Sequence, residues 1–242
     1  MKRSLVIGDI HGGLRALIQL FERANLDPQD ELIFLGDYVD GWSDSANVVS
    51  YLIELAKQNT CIFLRGNHDD LVHRWLKNGE LNDKWLQHGG QASMDAYRKI
   101  SAEEKQQHID FFEQMLNYYI DKKNRLFVHA GFTNLKGPEE EYNSIPFYWD
   151  RTLWELALAV NPELKPEDSA YPNRLKIFNK IFIGHTPVTR LGKTKPMHLA
   201  NVWNVDTGAA FKGPISLMDV DTEEIVQSDP VFELYPNEDG RN

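Results

Sequence analysis

Along the chain, short and nearly continuous apolar runs alternate with segments of helical periodicity. Ser4–Gly8 reads as a buried strand, and Leu14, Leu17, Ile18 and Phe21 then recur at helical spacing before an Asp27-Pro28 break. Glu31–Leu35 predicts a second strand, Val48 to Ala56 a helix carrying Val49, Leu52, Ile53 and Leu55, and Cys61–Leu64 a third strand. Strand-helix-strand steps this short predict parallel pairing, because each crossover returns the chain to the same edge of the sheet. From Asp70 to about Lys123 the spacing of Leu71, Trp75, Leu76, Trp85, Met94, Tyr97, Ile109, Phe112, Met115 and Leu116 predicts a helical insertion, interrupted at Gly89-Gly90. Arg125–His129 and Lys180–Gly184 resume strand character. Asn201–Asp206, Ile215–Val220 and Glu224–Gln227 alternate like antiparallel strands. Between them, residues 132–175 mix Pro, Glu and aromatic residues around one helical stretch at Leu153–Val160. That is too long for an ordinary connection, which makes it a substrate-facing segment. Residues 236–242 read as a disordered tail.

Five of the apolar runs stop at metal-type residues: Gly8-Asp9-Ile10-His11-Gly12, Gly36-Asp37-Tyr38-Val39-Asp40, Gly66-Asn67-His68-Asp69, His129-Ala130-Gly131 and Gly184-His185-Thr186. Parallel strands bring their C-terminal ends to one edge of a sheet, so ligands far apart in sequence can converge there. The i, i+2 spacing of Asp9 and His11 points both side chains toward one cation. Asp37 can bridge two cations, since a carboxylate has two oxygens with lone pairs to share. Asn67, His129 and His185 would complete a second site. Two divalent ions about 3.5–4 Å apart can activate water and hold both the attacking and the leaving oxygen of a phosphoester. His68 follows a ligand and is placed to protonate the leaving group, with Asp40 as the carboxylate that keeps it charged and oriented. His73, His88, His108 and His198 fall outside these motifs and receive no role. A lone Gly-Asp pair more often marks a turn; five such motifs in this order on strand ends point to a dimetal centre.

Composition narrows the class. At 242 residues and 42% hydrophobic content the chain can bury one full core, which predicts a single domain over 1–235. A net charge of −10 and a pI near 5.3 argue against broad binding to nucleic acid or acidic membranes. No apolar stretch reaches the roughly 18 residues of a membrane span, and the first strand begins too early for a removable signal peptide; both lead to the expectation of a cytoplasmic protein. The single cysteine, Cys61, starts an apolar run and reads as a small core residue.

These motifs together resemble those of the calcineurin-like metallophosphoesterases, and more closely the phosphoprotein phosphatase branch that includes bacterial and phage serine/threonine phosphatases and symmetrical diadenosine tetraphosphatases. The family's GDxHG appears as Gly8–Gly12, GDxVDRG as Gly36–Trp42, GNHE as Gly66–Asp69, HxG as His129–Gly131, and the late histidine as His185. The resemblance spans Val6 to about Gly208. It implies an α/β fold of mixed β-sheets sandwiched by helices around a βαβαβ core, with the dimetal site at strand C-terminal ends. It also implies Asp9 and His11 on the first metal, Asp37 bridging, Asn67, His129 and His185 on the second, and the His68–Asp40 pair as acid. Manganese is the metal it points to first, with iron or zinc as alternatives.

Two departures stand out. The phosphate-binding arginine of GDxVDRG is missing, since Asp40 is followed by Gly41 and Trp42, and GNHD replaces GNHE at Asp69. Arg65, Arg151 or Arg190 could supply the lost guanidinium; Arg151 stands in the order of the family's second phosphate arginine, or it forms a surface ion pair with Asp150 or Glu155. Trp42, Phe147, Tyr148 and Trp149 could stack on a nucleobase or a peptide side chain, or pack in the core. Asp206 reads as structural. The expected activity is a phosphomonoesterase of serine/threonine protein phosphatase type, acting by direct attack of metal-held hydroxide with inversion at phosphorus. The alternatives are hydrolysis of a dinucleoside polyphosphate or other small phosphoester, and a phosphate-binding protein without turnover.

Overall fold

The computed structural model describes residues 2–241. Two five-stranded mixed sheets pack face to face. The first has the order β10-β9-β1-β2-β3, built from β1 (Ser4–Ile7), β2 (Glu31–Phe34), β3 (Thr60–Phe63), β9 (Ser216–Asp219) and β10 (Ile225–Gln227). The second has the order β4-β5-β6-β8-β7, from β4 (Tyr118–Ile120), β5 (Arg125–Val128), β6 (Lys180–Ile183), β7 (Met197–Leu199) and β8 (Val202–Asn204). In each, three strands run parallel: β1-β2-β3 in one, β5-β6-β8 in the other, with antiparallel partners outside them.

Period-2 alternation explains the layering, because successive residues of a strand face opposite sides of the sheet. Val6, Ile33, Phe127, Phe182 and Met218 point between the sheets and form an inner core with Leu35, Leu64, Val205 and Val220. The Phe127 and Phe182 rings stack there at 4.8 Å. Their neighbours Leu5, Ile7, Leu32 and Phe34 face outward into a core shared with α1 (Leu14–Ala24), α2 (Ser45–Leu55), α3 (Asn67–Asn78), α4 (Asp83–Trp85), α5 (Gln91–Tyr97) and α6 (Ala102–Glu113). Leu126, Val128, Ile181 and Ile183 face the other way, against α7 (Ile145–Trp149) and α8 (Thr152–Ala159). The observed class is therefore α/β, two mixed sheets flanked by helices, as the motifs imply. A last short helix, α9 (Val231–Leu234), returns to α1.

Three differences from the sequence reading have physical causes. The helical insertion ends at Glu113; Tyr118–Ile120 form an edge strand pairing with β5, in keeping with the strand preference of aromatic and β-branched residues. The short strand β7 has too few residues to display a period. The 236–242 segment, expected to be disordered, is placed as far as Arg241: the Glu238 carboxylate accepts hydrogen bonds from the Ser43 N–H at 2.9 Å and its hydroxyl at 2.7 Å, and Arg241 N–H donates to the Ala210 carbonyl at 2.9 Å. Asn242 lies outside the described residues. Among the described residues no helix is long and apolar enough to cross a membrane.

Candidate metal centre

The C-terminal ends of β1, β2 and β3 meet those of β5, β6 and β8 along one rim, so each apolar run delivers its motif to the same place. Asp9 and His11 follow β1, Asp37 and Asp40 follow β2, and Asn67 and His68 open α3 after β3; His129 follows β5, His185 follows β6 and Asp206 follows β8. All nine are buried. Four of them hold left-handed backbone, His11 at φ 52°, Asp37 at 56°, Asp40 at 70° and His185 at 65°. Non-glycine residues take that conformation at a cost that the surroundings must offset, and such residues cluster where side chains have to be aimed. Backbone closes in behind the carboxylates. A Cβ on Gly66 would lie 2.1 Å from Asp37 Oδ1, and one on Gly184 would lie 2.2 Å from Asp9 Oδ1.

Hydrogen bonds orient the imidazoles. His129 Nδ1–H donates to the Leu35 carbonyl at 2.9 Å, leaving Nε2 at 3.2 Å from Asn67 Oδ1 and 3.4 Å from Asp37 Oδ2. His11 Nδ1–H donates to the Val39 carbonyl at 3.2 Å, and its Nε2 faces Asp37 Oδ2 at 3.5 Å and Asp9 Oδ2 at 3.7 Å. His185 Nδ1 lies 2.9 Å from Asn67 Oδ1, its backbone N–H donates to Asp9 Oδ2 at 3.2 Å, and its buried Nε2 has no partner among the described residues. Nitrogen and oxygen atoms gathered this closely are satisfied either by a proton on an imidazole, as Asp37 favours at His129, or by a cation between them. Separations near 3 Å are those of adjacent ligands around a cation whose bonds are about 2.1 Å long. Two ligand groups result: His11, Asp37 and His68 in one, and Asp37, His129 and His185 in the other, with Asp37 common to both. The hard oxygen and imidazole donor set fits a pair of divalent cations.

The same crowding governs protonation. Burial opposes ionisation of Asp37, but the charge of His129, that of His68 and the hydrogen bond from His129 outweigh it and hold its carboxyl well below the usual range. Burial raises Asp9 to about 7 and Asp206 to about 8, the latter with help from the Asp9 charge. His11 falls to about 3, and His185 falls well below its ordinary value, both through burial first.

His68 lies against the metal residues, its Nδ1 2.6 Å from Asp40 Oδ2 and its backbone N–H on Asp37 Oδ1 at 2.9 Å. Asp40 Oδ2 also accepts from the Trp85 indole N–H at 2.6 Å, and Oδ1 from the Ser93 hydroxyl at 2.6 Å. Asp69, the variant position of the GNHD motif, caps α3 and accepts from the backbone N–H groups of Gly66, Asp37 and Tyr38 at 2.7 to 2.9 Å. The shorter carboxylate thus ties the second motif to the third.

The metal residues open into a cavity of about 570 Å³. Its lining includes Arg151, Arg190 and Arg241 together with Trp149, Trp85 and Phe211. Among the described residues no ion pair within 4 Å joins any of the three arginines to a carboxylate, although the chain carries a net charge of −10. Arg151, for which an ion pair with Asp150 or Glu155 was the alternative, is half-buried beside the cavity; Asp150 is engaged by Thr152, Leu153 and Arg174 instead. Arg65 is drawn away, toward His73, Asp70 and the Phe112 carbonyl. Of the four aromatic candidates, Trp42, Phe147 and Tyr148 are core residues, and only Trp149 is exposed at the cavity. Asp206, read as structural, both accepts from Gly208 N–H at 2.9 Å and lines the cavity. Sequence reasoning missed Trp85, Ser93 and Arg241, for which no local motif exists, and His88, which reaches the cavity from the insertion.

Comparison with known proteins agrees with this geometry. The pattern of the calcineurin-like phosphoesterases matches residues 2–207. The bis(5'-nucleosyl)-tetraphosphatase PrpE [asymmetrical] of Oceanobacillus iheyensis is 23% identical over 236 residues, covering 91% of this chain and 90% of its own. Serine/threonine-protein phosphatase 1 of Salmonella typhimurium is 25% identical over 221 residues, covering 88% and 89%. Among solved structures, a protein provisionally described as a diadenosine tetraphosphatase superposes with a TM-score of 0.63 at 18% identity, over 93% of this chain and 92% of its own. With its paired parallel strand triplets, its converged motifs and a family match across most of its length, the chain belongs to the calcineurin-like phosphoesterase family.

Proposed function

We propose that this protein hydrolyses dinucleoside polyphosphates at a pair of divalent cations, manganese first. Asp9 and His11 would hold one ion and Asn67, His129 and His185 the other, with Asp37 shared between the two ligand groups. When bound, such ions polarise the phosphoryl oxygens and make water a nucleophile at neutral pH. His68 delivers a proton to the leaving oxygen. Asp40 fixes the imidazole with Nδ1–H inward, so that Nε2 is the atom presented to the leaving group. Arg151 and Arg190 bind phosphoryl oxygens through their planar donor forks.

The substrate class rests on one observation: three guanidinium groups with no carboxylate partner among the described residues share the cavity with an exposed tryptophan. A single phosphoryl group needs fewer cations, whereas a polyphosphate chain carries several charges and ends in a base that an indole can stack. The PrpE relatives favour the same reading. The relative named as a serine/threonine phosphatase keeps phosphoprotein hydrolysis as the second reading.

Steady-state hydrolysis of diadenosine tetraphosphate, a phosphothreonine peptide and p-nitrophenyl phosphate by one manganese-loaded preparation tests this. The proposal expects kcat/KM for the dinucleotide to exceed that for the peptide at least tenfold. Peptide preference would establish the second reading, and absence of turnover with two bound metals would leave a phosphate-binding protein.

A further inference from the structure

The arginine missing after Asp40 leaves Gly41, and the space its side chain would need is filled. Gly41 and Gly89 both have positive φ, 101° each, and lie against one another, with Gly41 N–H donating to the Gly89 carbonyl at 3.2 Å. The stem of Arg241 runs over this pair: a Cβ on Gly41 would stand 3.3 Å from Arg241 Cγ, and one on Gly89 would stand 2.9 Å from the same atom. A side chain at position 41 and Arg241 therefore compete for one slot.

The segment carrying Arg241 is fixed by the residues that follow Gly41. Ser43 binds Glu238, and Gly240 presses on the Trp42 indole so closely that a Cβ there would lie 2.7 Å from Cζ2. The guanidinium lies over the Phe211 ring at 5.4 Å, and its Nε is buried without a partner among the described residues. A buried charged donor left unsatisfied is costly, so Nε needs an acceptor that a bound anion or an ordered water supplies. The group lines the same cavity as His11, Asp37, His68 and Arg151.

We propose that Arg241 is a substrate-binding residue of this site, its guanidinium clamping the phosphoryl group beside the metal residues from the slot formed by Gly41 and Gly89. The proposal rests on the reading of the site as a phosphoester centre, and not on the dinucleotide as its substrate.

Arg241→Gln keeps the stem on the two glycines and removes the charge; Arg241→Lys keeps a charge but loses the fork. Both are made in the full chain and loaded with manganese. Binding of inorganic phosphate, followed by calorimetry, reads the clamp without requiring turnover. KM for p-nitrophenyl phosphate reads it in the reaction, and the thermal midpoint reads packing. Arg241→Gln is expected to weaken phosphate binding and raise KM about tenfold or more with a nearly unchanged midpoint, and Arg241→Lys to recover part of the loss. Unchanged phosphate affinity and KM in Arg241→Gln would overturn the proposal and make Arg241 a packing residue. So would a loss that tracks a lowered midpoint in both variants. If the wild type binds phosphate but turns over no ester, the hydrolase reading fails while the calorimetric comparison still decides the role of Arg241.

Discussion

The indole N–H of Trp85 donates to Asp40 Oδ2 over 2.6 Å, which places a residue of the helical insertion on the carboxylate that holds His68. Asp40 is thus saturated: its two carboxylate oxygens receive His68, Trp85 and Ser93, and its own N–H is shared between the Ser45 and Ser93 hydroxyls at 3.0 Å each. A carboxylate so enclosed cannot swing, and neither can the imidazole it orients.

His68→Asn is therefore expected to lower turnover of substrates with poor leaving groups by about 10²–10⁴-fold, the usual contribution of a general acid, and that of p-nitrophenyl phosphate much less. Trp85→Phe should show the same leaving-group dependence at smaller size, because Asp40 remains but is less firmly held. A leaving-group series on the wild type and both variants checks this; equal losses across the series would remove His68 from proton transfer.

Asp37→Asn should prevent assembly of the metal pair. The substitution removes the charge common to both ligand groups, and the amide also loses acceptor capacity. The expected fall in manganese affinity exceeds the roughly 10- to 100-fold that follows loss of an outer hydrogen-bond partner. Metal analysis after dialysis reads it directly, and full occupancy with a normal rate would contradict the bridging role.

Asp69→Ala strips three buried backbone N–H groups, those of Gly66, Asp37 and Tyr38, of their acceptor. At about 1–3 kcal/mol for each group left unpaired, the expected destabilisation is at least roughly 3 kcal/mol. Urea unfolding measures it, and a midpoint within error of the wild type would deny Asp69 this role.

His108 supplies a pH dependence away from the metal centre. Its ring is buried between the Ser50 hydroxyl at Nε2, 3.0 Å, and the Tyr97 hydroxyl at Nδ1, 3.1 Å, and burial lowers it from 6.5 to about 4. In the unfolded chain the ring takes up a proton near 6.5, in the folded chain only near 4. Between these values the unfolded state binds more protons, so this contribution to stability is complete above about pH 6.5 and is lost progressively as pH falls toward 4. The loss is on the order of 2–3 kcal/mol. His108→Gln should flatten that part of the stability profile, as read by chemical unfolding at pH 4.5 and 7; parallel profiles for the two proteins would rule the histidine out.

What the chain settles by itself is what lies close in sequence. Asp9, Asp37, Asn67, His129 and His185 each follow an apolar run by a few residues, and a run of that kind in a parallel sheet ends at the catalytic rim whatever surrounds it. The order of most strands and helices, and the convergence of the six candidate ligands with the His68–Asp40 pair on one rim, were legible for that reason. Periodicity specifies only which face of an element is buried, and not which distant element covers it. The splitting of the strands into two sheets that share the Phe127–Phe182 layer, the approach of Trp85 and Ser93 to Asp40 from 45 and 53 residues away, and the seating of Arg241 over Gly41 depend on packing between segments with no local signature of their partners. Arg241 is the clearest case: a polar segment without an apolar period reads as disordered, yet Glu238 and Gly240 hold it because Ser43 and Trp42 offer hydrogen bonds and a flat ring at the place where the chain arrives. Local pattern brought the candidate metal residues to one rim, and tertiary contact decided which side chains stand around them.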